Sequence, residues 1–280
     1  MSVIKSKKFV FSTGKKFKAN IEFYNSAQEV VDDCKTRKNT SSSFHDYSKE
    51  SVKEDWHGVK TYEEALELLR TGYQPTVDAF KNVKFKSSGN GKRISFQNNI
   101  AGFAPVVPLA LKGVPNSMIN MTMKPIKCKV IDVYYDMTVN CSTSTETIIE
   151  NGQMILGAIK ELENQGYRFN LYAVQSYSES SDADVLCIKV KSSDKPLDLK
   201  RISFPLTHPA FFRVIGFDWY GKCPVATYRC AYGRGMGYEL SDTELKEFAK
   251  QAFGDNAIYM SAGKYLGDKN HVMEVLANDK

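Results

Sequence analysis

The sequence predicts an α/β protein, with an irregular α+β part over residues 1–124 and a three-layer, mostly parallel sheet domain over residues 125–280. Three observations carry this. Residues 127–177 read as strand, polar loop, helix and strand, a βαβ unit that closes right-handed and parallel in nearly all cases. Beyond residue 177 strands and helices keep alternating, which layers helices on the faces of a sheet. The hydrophobic fraction of 42% and aromatic fraction of 12% are ordinary for a folded globular chain, and 280 residues suffice to bury a core without staples.

The elements of the first part follow in order. Residues 9–12, a turn at Thr13-Gly14 and residues 17–24 form a hairpin. Residues 1–18 hold six lysines and no acid, a charge of 6 − 0 = +6; the whole chain carries +6, so the other 262 residues balance to zero. This basic N-terminal arm is either a solvated hairpin, its charge serving solubility, or a contact for phosphate or an acidic partner. Nucleic acid is expected nowhere else on the chain. Ser26-Ala27-Gln28-Glu29 caps a short helix over residues 26–35. Residues 36–51 are a polar, serine-rich loop. Thr61-Tyr62-Glu63-Glu64 caps a helix that carries Ala65, Leu66, Leu68 and Leu69 and ends at Gly72. Another helix begins near residue 75, a polar connection runs over 81–92, and residues 93–96 form a short strand. Three prolines and two glycines punctuate the apolar stretch 99–118. Pro108 suits the first turn of a short helix, where a missing N–H costs nothing. Pro125 leads into the central strand.

The central strand is the dense run Val130, Ile131, Val133, Tyr134 and Tyr135. The polar residues 136–142 follow, and in a βαβ unit the loop at the carboxyl end of the first strand is where ligands bind. Thr143-Ser144-Thr145-Glu146 is a capping box. Ile148, Gly152, Ile155, Ile159 and Leu162 recur on one face of a helix, which Gly166 ends. Residues 168–177 alternate as a strand with Phe169, Leu171, Ala173 and Gln175 on one side, and residues 185–191 form a strand beside it. Residues 196–204 are a helix or turn, 205–209 a rigid break, 210–220 an apolar helix and 225–231 a strand. Gly233-Arg234-Gly235-Met236-Gly237 is a glycine-rich loop. Ser241-Asp242-Thr243-Glu244 caps a helix to about residue 253. Residues 257–261 are the last strand and 271–277 the last helix.

Several classes are disfavoured. The cysteines at 34, 128, 141, 187, 223 and 230 form no C-x-x-C pair, and the four histidines do not cluster with them, so the spacing does not suggest structural zinc. Cys128 and Cys187 lie in apolar strands, where a reduced cysteine acts as a small hydrophobe; a reducing compartment is expected. No apolar run approaches the ~18 residues of a membrane span, and the apolar run behind the first lysines is too short for a secretory signal. The reading is a soluble, unexported protein. No G-x-S-x-G elbow, H-E-x-x-H or Walker pattern is present.

The order of the second part resembles the von Willebrand factor type A fold, whose first strand ends in Asp-x-Ser-x-Ser and holds a divalent metal at the sheet edge. Asp136 and Thr138 match that pattern in type, and Asn140 stands where the family has Ser. The resemblance implies weak Mg²⁺ binding completed by an acidic side chain of a partner, with Thr207 and Asp218 as more distant matches. The chain also resembles a family of uncharacterised proteins carried by bacteriophages. The residues that carry this are Trp56-x-Gly58 before Glu63-Glu64-Ala65-Leu66, Ile100-Ala101-Gly102 leading into Pro105-Val106-Val107-Pro108 and Leu111-x-Gly113-x-Pro115, the 130–177 unit, and Leu206-Thr207-His208-Pro209-Ala210 with Arg213 and Phe217 behind it. This implies a phage origin and residence in the reducing cytoplasm of a bacterial host, and no reaction.

The candidate sites each carry two readings. Asp136, Thr138, Asn140 and Ser142 either bind a divalent metal or an anion beside a helix N-terminus, or simply complete and cap a polar loop. Arg229, Gly233, Arg234 and Gly235 either hold an anion or form a plain turn. His57 and His208 have no partners linked to them by sequence, and a structural His208 would cap the helix that follows. Two function classes remain. One is a binding protein that holds a host or phage protein through the sheet edge and the proline-rich 102–118 segment, with Phe103, Pro105 and Pro108 in contact. The other is an enzyme or nucleotide-binding protein working on an anionic ligand at the sheet's carboxyl edge.

Overall fold

The computed structural model describes residues 3–38, 52–81, 92–125, 129–139, 142–179, 182–222, 242–263 and 266–278. The strands are β1 (Val3–Val10), β2 (Lys16–Tyr24), β3 (Lys92–Asn99), β4 (Ala104–Pro105), β5 (Met118–Pro125), β6 (Val130–Asp136), β7 (Arg168–Glu179), β8 (Asp182–Lys191) and β9 (Ala257–Ser261). The helices are α1 (Ala27–Thr36), α2 (Glu54–His57), α3 (Tyr62–Thr71), α4 (Gln74–Lys81), α5 (Val107–Leu111), α6 (Thr145–Asn164), α7 (Leu199–Thr207), α8 (Phe217–Gly221), α9 (Asp242–Phe253) and α10 (Lys269–Asn278). A π-helical turn, Phe211–Gly216, joins α7 to α8.

Among the described residues six strands form one sheet in the order β1-β2-β8-β7-β6-β9, and β3, β5 and β4 form a second, small one; the strand expected over 225–231 lies outside the described residues. β6 lies between β7 and β9 and runs parallel to both. β2 and β8 are also parallel, while β1–β2 and β7–β8 are antiparallel. The protein is thus a mixed α/β fold with a mostly parallel main sheet. Burial on both faces explains the apolar run Val133, Tyr134 and Tyr135 of β6: Val133 is 0% and Tyr134 5% exposed. The N-terminal hairpin is not free in solvent. Its lysines Lys7 and Lys8 are exposed, while Phe9, Ala19 and Ile21 are buried, and β2 pairs with β8. The division expected at 124/125 therefore does not separate two sheets.

One face of the sheet carries Ile131, Val133 and Tyr135 with Phe169 and Leu171, packed against Ile148, Ile155 and Ile159 of α6. The other face carries Ala19, Ile21, Val174 and Cys187 with Phe248 of α9. The Phe248 ring lies 5.0 Å from Phe9 of β1 and 6.0 Å from Tyr259 of β9. Those two strands are the opposite edges of the sheet, so the sheet curls around α9.

Local chemistry sets the helix ends. Ser26 caps α1 by accepting from Glu29 N, and Thr61 caps α3 by accepting from Glu64 N. In α6 the cap is Ser144, accepting from Thr147 N, one residue beyond the expected Thr143; the Thr143 carbonyl is held outside the helix by Arg213. α6 ends in a Schellman motif, with Tyr167 N donating to Leu162 O, Gly166 N donating to Glu163 O, and Gly166 at φ +100°. Gly152 sits in the buried stripe because the α7 backbone crosses there: a Cβ at Gly152 would lie 2.1 Å from Leu206 O.

Three expectations change. Pro125 ends β5 of the small sheet rather than leading into the central strand. The expected break over 205–209 shrinks to His208, since α7 continues through Pro205 to Thr207. His208 is extended at φ −115° and ψ 128°, as the ring of Pro209 demands of its predecessor. The expected apolar helix over 210–220 opens with the π turn, and Gln175 Nε2 of β7 donates to Phe212 O there. Every residue from 202 to 222 is buried.

Candidate functional site

The loop after β6 is stitched to both neighbouring strands. Asp136 Oδ1 accepts from Thr138 N at 2.9 Å; Oδ2 accepts from Ser176 Oγ at 2.7 Å and from Tyr259 OH at 2.5 Å. Thr138 Oγ1 accepts from Ser176 N at 2.8 Å and donates to Ser176 O at 3.2 Å. Asp136 O accepts from Ala262 N at 2.7 Å. Burial pushes the Asp136 carboxyl upward, against the pull of its hydrogen bonds. Tyr259 is pushed well above its usual range by burial and by the Asp136 charge.

This arrangement does not fit a hard cation. Three donors already occupy the Asp136 carboxylate, which offers about four acceptor sites, and its residue is 4% exposed. Ser142 is exposed, and Asn140 lies outside the described residues. Thr207 Oγ1 donates to Ser203 O and meets Thr76 Oγ1 at 3.0 Å. Asp218 accepts from Tyr62 OH and pairs with Lys222 at 2.7 Å. Among the described residues no group of three or more His, Cys, Asp or Glu is placed to hold a metal ion.

Asp136 thus gives a first prediction. Its folded-state pKa is raised, so its contribution to stability is full below the unfolded value near ~4 and declines as pH rises through the folded value. Asp136→Asn should remove that decline, because the two hydroxyls can turn to donate or accept while the amide oxygen keeps Thr138 N. Asp136→Ala strands three donors and should cost about 2–4 kcal/mol. Urea melts from acid to neutral pH check both; parallel curves for wild type and Asp136→Asn would remove the charge from the account.

Two motif stretches far apart in the chain meet around Arg213, which is 1% exposed. Its Nη1 donates to Trp56 O at 2.5 Å, its Nη2 to Thr143 O at 2.8 Å, and its guanidinium lies 4.6 Å from the Trp56 ring centroid. Gly58, at φ +72°, lets His208 approach: a Cβ there would stand 3.0 Å from His208 Cε1. His208 Nδ1 accepts from Ala210 N at 3.2 Å and so caps the turn behind it. Burial lowers His208 to about 4. His57 is lowered too, by burial first and the Arg213 charge after it. These buried groups form a brace, with the loop before α6, the turn at α2 and the π turn tied to one guanidinium.

Sequence reasoning missed a second buried polar centre. Glu22 of β2 is 1% exposed and is forked by Arg37, with Trp219 Nε1 donating to it at 2.9 Å. Arg37 also pairs with Asp33 at 2.6 Å. No local signal marks which acid of an alternating strand faces inward, so Glu22 was not legible. Cys34 and Cys187 are buried free thiols, with burial pushing Cys34 up to about 12. Cys128 and the proposed anion site Arg229, Gly233, Arg234 and Gly235 lie outside the described residues.

The small sheet stands apart in character. β5 is its centre; β3 pairs along its whole length, with Phe96 opposite Met121, and β4 pairs at Ala104 and Pro105. Gly102 permits the close pass of the chain, since a Cβ would lie 2.0 Å from Ile119 O. Pro108 stands in the first turn of α5. No described side chain from 94 to 122 is buried. Ile94, Phe96, Ile100, Phe103, Leu111 and Met121 are all more than half exposed, Phe103 at 67% and Leu111 at 83%. Pro105 and Pro108 are exposed beside them. Monomeric proteins rarely leave so many large apolar side chains together in water, and a small sheet needs a covered face for stability.

The fold and these sites define a mixed α/β protein with buried polar braces and an apolar arm. Residues 8–277 match the family described as Domain of unknown function (DUF7192), and the chain belongs to it. The matched range takes in the arm as well as the main sheet. No curated protein and no solved structure matches the chain, and the expected von Willebrand resemblance finds no support among them. Among the described residues no helix is long and apolar enough to cross a membrane.

Proposed function

We propose that the protein is a non-enzymatic binding protein whose working surface is the arm formed by β3, β4, α5 and β5. The observation that carries this is the exposure of Ile94, Phe96, Phe103 and Leu111 on a module with no buried side chain among those described. Interfaces have apolar cores that free chains must leave in water. The polar groups described at Asp136 and Arg213 are consumed by internal hydrogen bonds, which supports binding over chemistry at those positions. The phage resemblance points to a host or phage protein as the partner, and the buried thiols of Cys34 and Cys187 suit a reducing cytoplasm.

The test replaces Phe96, Phe103 and Leu111 together by serine. These side chains are exposed, so stability should stay within about 1–2 kcal/mol of wild type. Affinity purification of the tagged chain from its native cells should recover a complex that survives a chelator, and the triple variant should lose it. A complex retained by the folded variant would move the binding surface elsewhere.

A further inference from the structure

Resting on the reading of the arm as a binding surface, we propose that its occupant is an acidic protein segment that adds as a strand to the open edge of β3. Three observations point there. The small sheet has the order β3-β5-β4, so among the described residues no strand pairs with the outer edge of β3. β3 spans Lys92–Asn99 with no proline and pairs with β5 without a register break. Such an edge is a template for another chain. On one side of that ladder Ile94, Phe96 and Met121 are exposed, which supplies pockets for alternate side chains of an added strand.

Charge selects the partner. The described arm, residues 92–125, contains four lysines and arginines and no Asp or Glu. The register sets Lys92 and Arg93 opposite Pro125 and Lys124 at one end of the ladder. An apolar strand flanked by glutamates or aspartates meets both the apolar face and this cationic segment. The other occupants fit less of what is seen. A second copy brings the same positive arm, and two such arms repel. A bilayer cannot satisfy the open N–H and C=O groups of a sheet edge. Single-stranded nucleic acid binds by stacking on aromatic rings, and most of the exposed large apolar side chains of the arm are aliphatic or Met.

The experiment uses the full chain and labelled probes: a capped peptide of alternating valine and glutamate, the same peptide with lysine for glutamate, a short oligothymidylate, and vesicles of phosphatidylcholine with phosphatidylglycerol. Fluorescence anisotropy should show the glutamate peptide binding about tenfold or more tighter than the lysine peptide, with salt weakening it. Phe96→Ser and Met121→Ser, each confirmed as folded by its melting temperature, should reduce that binding about tenfold. Amide exchange over Lys92–Asn99 should slow when the peptide is bound. Equal or absent binding of the two peptides overturns the proposal. So does tighter binding of the oligonucleotide or vesicles, or self-association that Phe96→Ser abolishes. Peptide binding that is sensitive to Phe103→Ser and Leu111→Ser without protection of β3 overturns strand addition while leaving the arm as the binding surface.

Discussion

Arg213→Met is expected to lower the unfolding free energy by about 3–5 kcal/mol, because two hydrogen bonds from a charged donor are lost and each is worth about 1.5–3 kcal/mol. The guanidinium donates to Trp56 O and Thr143 O and lies over the Trp56 ring. Methionine fills part of the volume, yet two part-buried carbonyls lose their charged donor. Arg213→Lys should recover only part of the loss, because one ammonium on a flexible stem cannot reproduce the planar fork. Urea unfolding at neutral pH measures both. Amide exchange should rise together around residues 56–58 and 143–147, since one side chain ties both. A methionine variant within about 1 kcal/mol of wild type would show that the packing around the π turn holds without the brace.

Acid should destabilise the protein through His208 as pH falls below ~6.5. The imidazole is buried, its Nδ1 accepts from Ala210 N, and its folded pKa is lowered to about 4. An unfolded histidine titrates near ~6.5. The folded state therefore favours the neutral ring: its contribution is full above pH ~6.5 and is lost as pH falls through that value toward the folded pKa, after which no more is lost. The interval corresponds to about 3 kcal/mol. His57, also lowered by burial, acts in the same direction. His208→Asn keeps an acceptor for Ala210 N and cannot titrate. It should cost stability at neutral pH, through lost contact with Tyr73 and Phe204. That deficit relative to wild type should shrink by about 3 kcal/mol on going to pH ~4. Parallel stability curves for the two proteins would mean that the ring takes up its proton in the folded state without penalty.

The arm and the Asp136 loop divide differently between sequence and structure. The loop was placed by a local pattern, an apolar strand followed by polar residues and a cap. Its role was not, since Ser176 and Tyr259 come from other strands, 40 and 123 residues further along the chain. For the arm the proline-rich stretch suggests the contact surface proposed above, but the pairing of β3 with β5 and the exposure of Ile94 and Phe96 do not follow from it. An apolar residue in a strand marks a face, and whether anything covers that face is a property of the rest of the molecule.

The sequence by itself determined what short-range physics controls. Periodicity placed β6, α6, β7 and β9, and the hydroxyl caps at Ser26 and Thr61 and the glycines at 72 and 166 placed helix ends, because these depend on groups within about four residues of each other. Only the tertiary structure decided that β2 joins the sheet through β8 and that the sheet curls around α9. It alone decided that Glu22 meets Trp219 and Arg213 meets Trp56, pairs separated by 197 and 157 residues. Those choices come from which apolar faces bury one another and which charges are carried inside with them. That competition is settled over the whole chain at once, and no local window contains it.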